Sequence, residues 1–307
     1  MGTKSELNVE KNDVVTHLFI DPADQDYILA RMSYYGKMIN SFFWSGGQAI
    51  EKYLKASLLL NGKSAKEDKH NKDYGHNLVK LFEAVNEYAS DLFPKRLTKP
   101  PQIKKTLWHT EETPVGFLER IAPYTHANSR YNMFGKNLNP EDLLHLDQFI
   151  FAARRVAFRL DAGASQTVYE NLARDPQYQP RTGQFLDTIT KDSNHALYDL
   201  VLNYNFPFAP EGYEHKQNKQ IQIKFYSSSL DTNPVLGMHI FSFLKRPKSS
   251  LDPDLCTKKA DLADWVVKNI TLPKHIKHNL CNVITCLRTR ASASRSSSSF
   301  SKEDKNG

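Results

Sequence analysis

The sequence predicts a mainly α protein. Residues 21–163 are expected to form an antiparallel helical bundle, residues 164–288 a smaller α+β region, and residues 289–307 a disordered Ser-rich tail, with a flexible lead-in over 1–20. Three observations carry that expectation. Apolar residues recur at three- and four-residue spacing through the first half of the chain. Residues that start and stop helices punctuate those runs. After Gly163 the pattern changes, and Ile221, Ile223 and Phe225 alternate with polar residues as strands do.

Asp21-Pro22 reads as the start of a first helix, since Asp can cap and Pro suits the first turn. Tyr27, Ile28, Arg31, Tyr34, Tyr35, Met38 and Ile39 then follow helical spacing. Ser45-Gly46-Gly47 introduces a second helix that stops at Asn61-Gly62. It carries two apolar rows, Ala49, Tyr53, Ala56 and Leu60 on one side and Ile50, Leu54 and Leu58 on another, so neighbours must wrap it. His76-Asn77 opens a third helix through Leu78, Leu81, Phe82, Val85 and Tyr88. Pro94 to Pro101 breaks the pattern, and a short helical stretch near Val115 to Ile121 sits in the irregular passage that follows. Asn139-Pro140-Glu141 starts a long helix whose apolar positions run from Leu143 to Leu160, ending at Asp161-Ala162-Gly163. Beyond it, helices are expected over Asp192–Tyr204, Ala260–Ile270 and Lys274–Arg288, with two strands between them near 221–225 and 235–243.

Composition narrows the class. The 307 residues are 40% hydrophobic and 24% charged, an ordinary globular balance, and no apolar run is long enough to span a bilayer. The start, MGTKSELNVEKND, has no apolar signal core, which makes the cytoplasm the expected compartment. Three cysteines, Cys256, Cys281 and Cys286, are too few and too bunched for a disulfide framework. The net charge of +7 is not spread evenly: residues 245–307 hold 13 Lys/Arg against 6 Asp/Glu, and the rest of the chain is balanced. Attraction to polyanions is therefore expected from the C-terminal fifth.

The second and third helices carry a family resemblance. QAIEKYLKA at Gln48 to Ala56, followed by GHNLVKL at Gly75 to Leu81, resembles the HEPN domain, a small helical-bundle family with nucleotide-binding associations. DYILARMSYY fits that family's first helix, and NSRYNMF, with Arg130 and Tyr131, looks like its segment before the final helix. The resemblance covers about residues 22–163. It implies a helical bundle, a homodimer, a nucleotide or RNA as ligand, and in some members an accessory role beside a nucleotidyltransferase-like protein partner. It marks Gln48, Glu51, Lys52, Lys55, His76, Arg130 and Tyr131 as ligand-binding or polar-seam residues. Read on spacing alone, Gln48, Glu51, Lys52 and Lys55 form a polar stripe between packed helices, and Glu51 with Lys55 makes an i,i+4 pair of about 0.3–0.5 kcal/mol. His76 heads a helix, where capping or packing is its plainer role.

Many HEPN proteins resemble metal-independent ribonucleases of the toxin–antitoxin or phage-defence type, with an Arg, four to six residues, then a His. The chemistry suits RNA: the His moves a proton at the ribose 2′-OH or leaving oxygen, and the Arg stabilises the phosphorane charge. Arg120 and His126 are the match here. Thirteen arginines and three permitted spacings predict about 1.4 such matches in a chain of this composition, so the spacing alone carries no weight. Pro123 interrupts the motif, and it lies well before the final helix of the bundle. A noncatalytic binding or dimerisation module is therefore the expected function, with endoribonuclease activity at Arg120 and His126 as the alternative.

Other constellations are weaker. His275, His278, Cys281 and Cys286 are zinc-ligand types, but four ligands along one straight helix cannot surround an ion, so no metal is expected. No phosphate-binding glycine loop or hydrolase motif occurs, and no cofactor is expected. Gly46-Gly47 before a helix could admit an anion, although close helix packing is the plainer use of two glycines.

Overall fold

The computed structural model describes residues 12–67, 70, 73–103, 111–125, 136–139, 141–158, 170–175, 185–215, 230–231, 240, 252–269 and 274–300. Among these the fold is mainly helical, and the chain divides into two compact units. The first comprises residues 1–130 and 137–230; the second comprises 131–136 and 231–307. No helix among the described residues is long and apolar enough to cross a membrane.

In the first unit, helix α1 spans Asp21–Tyr35, α2 Ile39–Leu60, α3 Leu78–Ala89, α4 Pro114–Ile121 and α5 Asp142–Val156. Helix α1 begins at Asp21-Pro22 as the sequence suggested, but Asp21 is not its cap. Helical backbone already runs from residue 12, and a π turn at Thr16–Ile20 leads directly into α1. Pro22 offers no N–H to the carbonyl four residues back, so an irregular turn just before it disturbs the ladder least. Val15 and Ile20 join the core, which ties residues 12–20 to the bundle.

Helix α2 starts at Ile39, six residues before the expected Ser45, and both of its apolar rows are packed as predicted. It lies against α1, α3 and α5. Gly46 and Gly47 are not a turn before this helix; they sit inside it. A Cβ at Gly47 would lie 2.2 Å from Thr125 Cγ2, and one at Gly46 would lie 3.2 Å from the end of the Leu146 side chain on α5. The glycines serve close approach, and with no helix terminus there the anion reading fails.

Helices α3 and α4 begin as the sequence indicated. Asn77 caps α3 by accepting from Lys80 N at 3.0 Å, and Thr113 caps α4 by accepting from Gly116 N at 3.1 Å. Helix α5 stops at Val156, short of the expected Leu160. There Ser57 Oγ of α2 donates to Val156 O at 2.8 Å, and Asn61 Nδ2 donates to Phe158 O at 2.9 Å. Those side chains satisfy carbonyls that a longer helix would have paired internally.

Every residue of α5 except Gln148 is buried, so its charges must be answered inside the protein. Arg31 of α1 and Asp147 of α5 form an ion pair with both side chains fully enclosed. Tyr27 donates to the same carboxylate at 2.6 Å and accepts from Asn205 Nδ2 at 2.8 Å. Arg31 also donates to Leu200 O at 3.1 Å and to Asn203 O at 2.7 Å. A second set joins Arg154 to Asp24 at 3.2 Å and to Asp187 at 3.0 Å, with Tyr53 donating to Asp24.

These bonds recruit chain beyond residue 163 into the first unit. Helix α6, Phe185–Lys191, and α7, Tyr198–Leu202, contribute Leu186, Ile189, Val201 and Leu202 to the same core. The boundary expected at 163 is thus corrected, because the buried guanidinium of Arg31 takes its remaining acceptors from residues 200 and 203. The helix expected over Asp192–Tyr204 shortens to α7.

The second unit is a helix pair among the described residues: α8, Pro253–Asn269, against α9, Lys274–Phe300. Cys256, Ala260, Ala263 and Val266 of α8 meet Leu280, Val283, Ile284 and Leu287 of α9. Ala291 extends that contact, and α9 continues to Phe300 through serines expected to be disordered; residues 301–307 lie outside the described residues. The strands expected near 221–225 and 235–243 also fall outside them, except Ile240. The strands seen are the two-residue β1, Asn137–Leu138, and β2, Leu230–Asp231.

Two stability experiments follow from this packing. Asp147→Ala leaves the buried Arg31 charge unanswered and is expected to lower unfolding free energy by about 3–5 kcal/mol in urea titration, whereas the paired change Arg31→Met with Asp147→Leu recovers most of the loss. Gly47→Ala is expected to cost about 1–3 kcal/mol against the Thr125 β-carbon, while Gly46→Ala, facing only movable leucine methyls, stays within about 1 kcal/mol of the parent.

Candidate functional site

Two polar assemblies in the first unit hold Glu51, Lys55, His76 and Arg120 among the residues singled out by sequence. The first is the seam between α2 and the loop leading into α3. Glu51 is 7% exposed and lies at its centre. Lys55 Nζ, one turn on, donates to Glu51 Oε1 at 2.8 Å, and His76 Nδ1 lies 3.1 and 3.0 Å from the two carboxylate oxygens. The helix puts Glu51 and Lys55 on one face, and the loop brings His76 to the same carboxylate from 25 residues away. Lys52, at a different angle on the helix, turns instead to Asp26 of α1. Gln48 is half-buried on α2. The stripe expected from sequence therefore divides into two contacts.

The loop joining α2 to α3 is built by its own short side chains. Ser64 Oγ accepts from Lys66 N and Glu67 N at 3.1 and 3.2 Å, and Asp73 Oδ1 accepts from Gly75 N at 2.7 Å. Gly75 sits at φ +53°, the left-handed conformation glycine adopts readily. The loop and α2 enclose an open recess of about 520 Å³, bordered by Phe19, Lys55, Leu59, Ser64, Lys66 and His76. Lys66 and Ser64, both exposed, were not singled out by sequence, because a charged loop offers no periodicity to mark which of its residues border a recess. Its lining mixes the apolar Phe19 and Leu59 with Lys55, Lys66 and His76, and with one carboxylate, Asp73.

The second assembly surrounds Arg120, at the end of α4. Its Nη2 lies 2.5 Å from Glu112 Oε1 and 2.7 Å from Asp142 Oδ1, and its Nε donates to Glu112 Oε2 at 3.2 Å. Glu112 Oε1 is also 2.8 Å from His145 Nδ1, on α5. Burial alone would raise the Glu112 carboxyl, but hydrogen bonds from His145 and Arg120 and their charges outweigh it and hold the group down at about 2. The fully buried Asp142 moves the other way, raised by desolvation despite Arg120. Asp142 further accepts from Asn139 N at 2.7 Å, so the cluster ties α4 to the entry of α5.

Of the sequence-predicted residues, the structure thus joins Glu51, Lys55 and His76, and places Arg120 in a separate ion-pair cluster. His126, Arg130 and Tyr131 lie outside the described residues. Glu112, Asp142 and His145 were not foreseen as partners of Arg120, since they come from an irregular segment and from a helix whose other residues are read as core. His278, Cys281 and Cys286 fall along the single helix α9, the arrangement that denies one ion all of them. Comparison with family models, with curated proteins and with solved structures returns no match.

The Arg120 cluster makes a pH prediction. A carboxyl held at about 2, below its ordinary 4.5, stabilises the fold fully above about pH 4.5 and loses that contribution as pH falls toward 2. The stability difference between the parent and Glu112→Gln is expected to be about 2–3 kcal/mol and level from pH 7 to 5. It should shrink steadily below that in urea unfolding at each pH.

Proposed function

We propose that the first unit is a HEPN-like module that binds a nucleotide or RNA without cutting it, and that it acts as a homodimer. One observation carries the noncatalytic part: the guanidinium of Arg120 is engaged by Glu112 and Asp142, at 2.5 and 2.7 Å. Phosphorane stabilisation needs an arginine aimed at developing charge. Redirecting Arg120 would break two ion pairs and release α4 from α5. Its side chain is therefore a structural clamp.

The seam supports the binding part. Lys55, Lys66 and His76 border one recess beside Phe19 and Leu59, and with a single carboxylate there, Asp73, a phosphate group would meet more cationic than anionic side chains. Glu51 orients Lys55 and His76 rather than contacting the ligand. The homodimer reading draws on α1, where Leu29 and Met32 are exposed at 49% and 42% on the face it turns away from the bundle core. A nucleotidyltransferase-like protein as a further partner is an extension of the same family reading.

The test uses purified, metal-free protein and a fluorescent oligoribonucleotide. Intact RNA over the full time course is expected, with binding seen by anisotropy that weakens as salt rises. The double variant Lys55→Met with Lys66→Met should bind about tenfold less tightly, the loss of roughly one charged contact to phosphate. Cleavage by the parent that disappears in His126→Ala would overturn this reading in favour of a ribonuclease.

A further inference from the structure

The whole net charge of the chain belongs to the second unit. That unit holds 14 Lys/Arg against 7 Asp/Glu, while the first unit is balanced. Within it, residues 265–302 include seven Lys/Arg and no acidic residue. Helix α9, Lys274–Phe300, lies inside that acid-free stretch and is about 40 Å long at 1.5 Å per residue.

The two faces of α9 differ in kind. Its apolar face packs on α8. On the other face Lys274, His278, Cys281, Thr285, Arg288 and Ser292 recur at three- and four-residue spacing, all exposed, with exposed Lys277 beside them. The hydroxyls of Thr285, Thr289 and Ser292 donate to carbonyls one turn back, at 3.1, 3.0 and 3.0 Å. Asn282 Nδ2 lies 3.3 Å from His278 Nε2. The lysines and Arg288 are thus the groups this face turns toward a partner.

The carboxylates nearest to them come from α8. Asp261 and Asp264 lie 3.8 and 3.4 Å from Arg288, and Asp264 lies 2.9 Å from Lys268. The contacts to Arg288 are long and open to solvent, the kind of ion pair that contributes little, so a phosphate can compete for that guanidinium. Asp252 and Asp254 stand at the start of α8, the end away from its connection to Lys274.

A rod that carries cations and no carboxylate complements a polymer of repeated negative charge. An anionic lipid surface is the rival partner, but a helix that lies on a membrane turns Trp, Phe or Leu outward. The described apolar side chains of α9 are spent on α8, and the large exposed ones of the pair, Leu262 and Trp265, belong to α8. We propose that α9 is a nucleic-acid-binding helix that holds a strand by its phosphates through Lys274, Lys277 and Arg288. Contacts of that kind position a strand without reading its bases. This site is separate from the seam of the first unit and does not rest on it.

The experiment is fluorescence anisotropy of the full chain with an oligoribonucleotide of about 20 nucleotides across a salt series, beside flotation with phosphatidylserine vesicles. The double variant Lys274→Gln with Lys277→Gln should bind RNA about tenfold less tightly at low salt. It should also lower the slope of log affinity against log salt by about 1.4, at about 0.7 per phosphate contact. Lys274→Arg with Lys277→Arg keeps the charge and should keep the parent affinity. Lys80→Gln with Lys95→Gln, two exposed lysines of the first unit, removes the same net charge and should stay within about twofold of the parent. Unchanged RNA affinity in the α9 double variant, or an equal loss in the first-unit control, would overturn the assignment. So would vesicle binding that depends on Lys274 and Lys277 without RNA binding that does. Added to the Lys55 and Lys66 double variant, the α9 changes should still cost about tenfold, so failure of one site leaves the other measurable.

Discussion

The buried pairing of Arg31 with Asp147 is the constraint from which the architecture of the first unit follows. An arginine enclosed between helices cannot be left with one partner, because its five N–H donors lose water together. Asp147 answers part of the guanidinium, and main-chain carbonyls at 200 and 203 answer more. Those carbonyls belong to chain far beyond the last helix of the bundle, so the charge fixes where the later segment must lie. Arg154 repeats the arrangement with Asp24 on α1 and Asp187 on α6. Apolar burial drives the helices together. The two arginines select which helices meet and where the unit ends.

The same economy of charge separates structural from functional residues. Arg120 has the residue type and the spacing of a catalytic arginine, yet two carboxylates on different elements converge on it. Glu51 has the residue type of a general base, yet it serves as a hub that orients Lys55 and His76. The ammonium-bearing side chains of Lys55 and Lys66 border the seam recess. Glu51 holds the Lys55 ammonium in position, so an anion at the proposed seam site would meet a cation that is already ordered.

Much of this was legible in order but not in extent. Asn77 caps its helix because a capping side chain acts on backbone two or three residues away, within reach of local sequence. The two apolar rows of α2 correctly required neighbours on both sides. Ser45-Gly46-Gly47 misled, since two glycines break a helix on local propensity but are kept within one when another chain must approach as closely as Thr125 does. Asp21-Pro22 marked the start of α1 correctly, but no local signal announced the helical turn and π turn that lead into it.

The sequence by itself determined the mainly helical class, where α1, α3, α4, α5 and α9 begin to within a few residues, and that Glu51 and Lys55 pair, because all of these depend on contacts within about one helical turn. Only the tertiary structure decided that residues 185–208 belong to the first unit, that His76 joins Glu51, and that Arg120 is occupied. Those outcomes rest on groups meeting across 8 to more than 160 residues of chain. Periodicity records the face a residue occupies, and it holds no record of the distant group that a buried charge will find there.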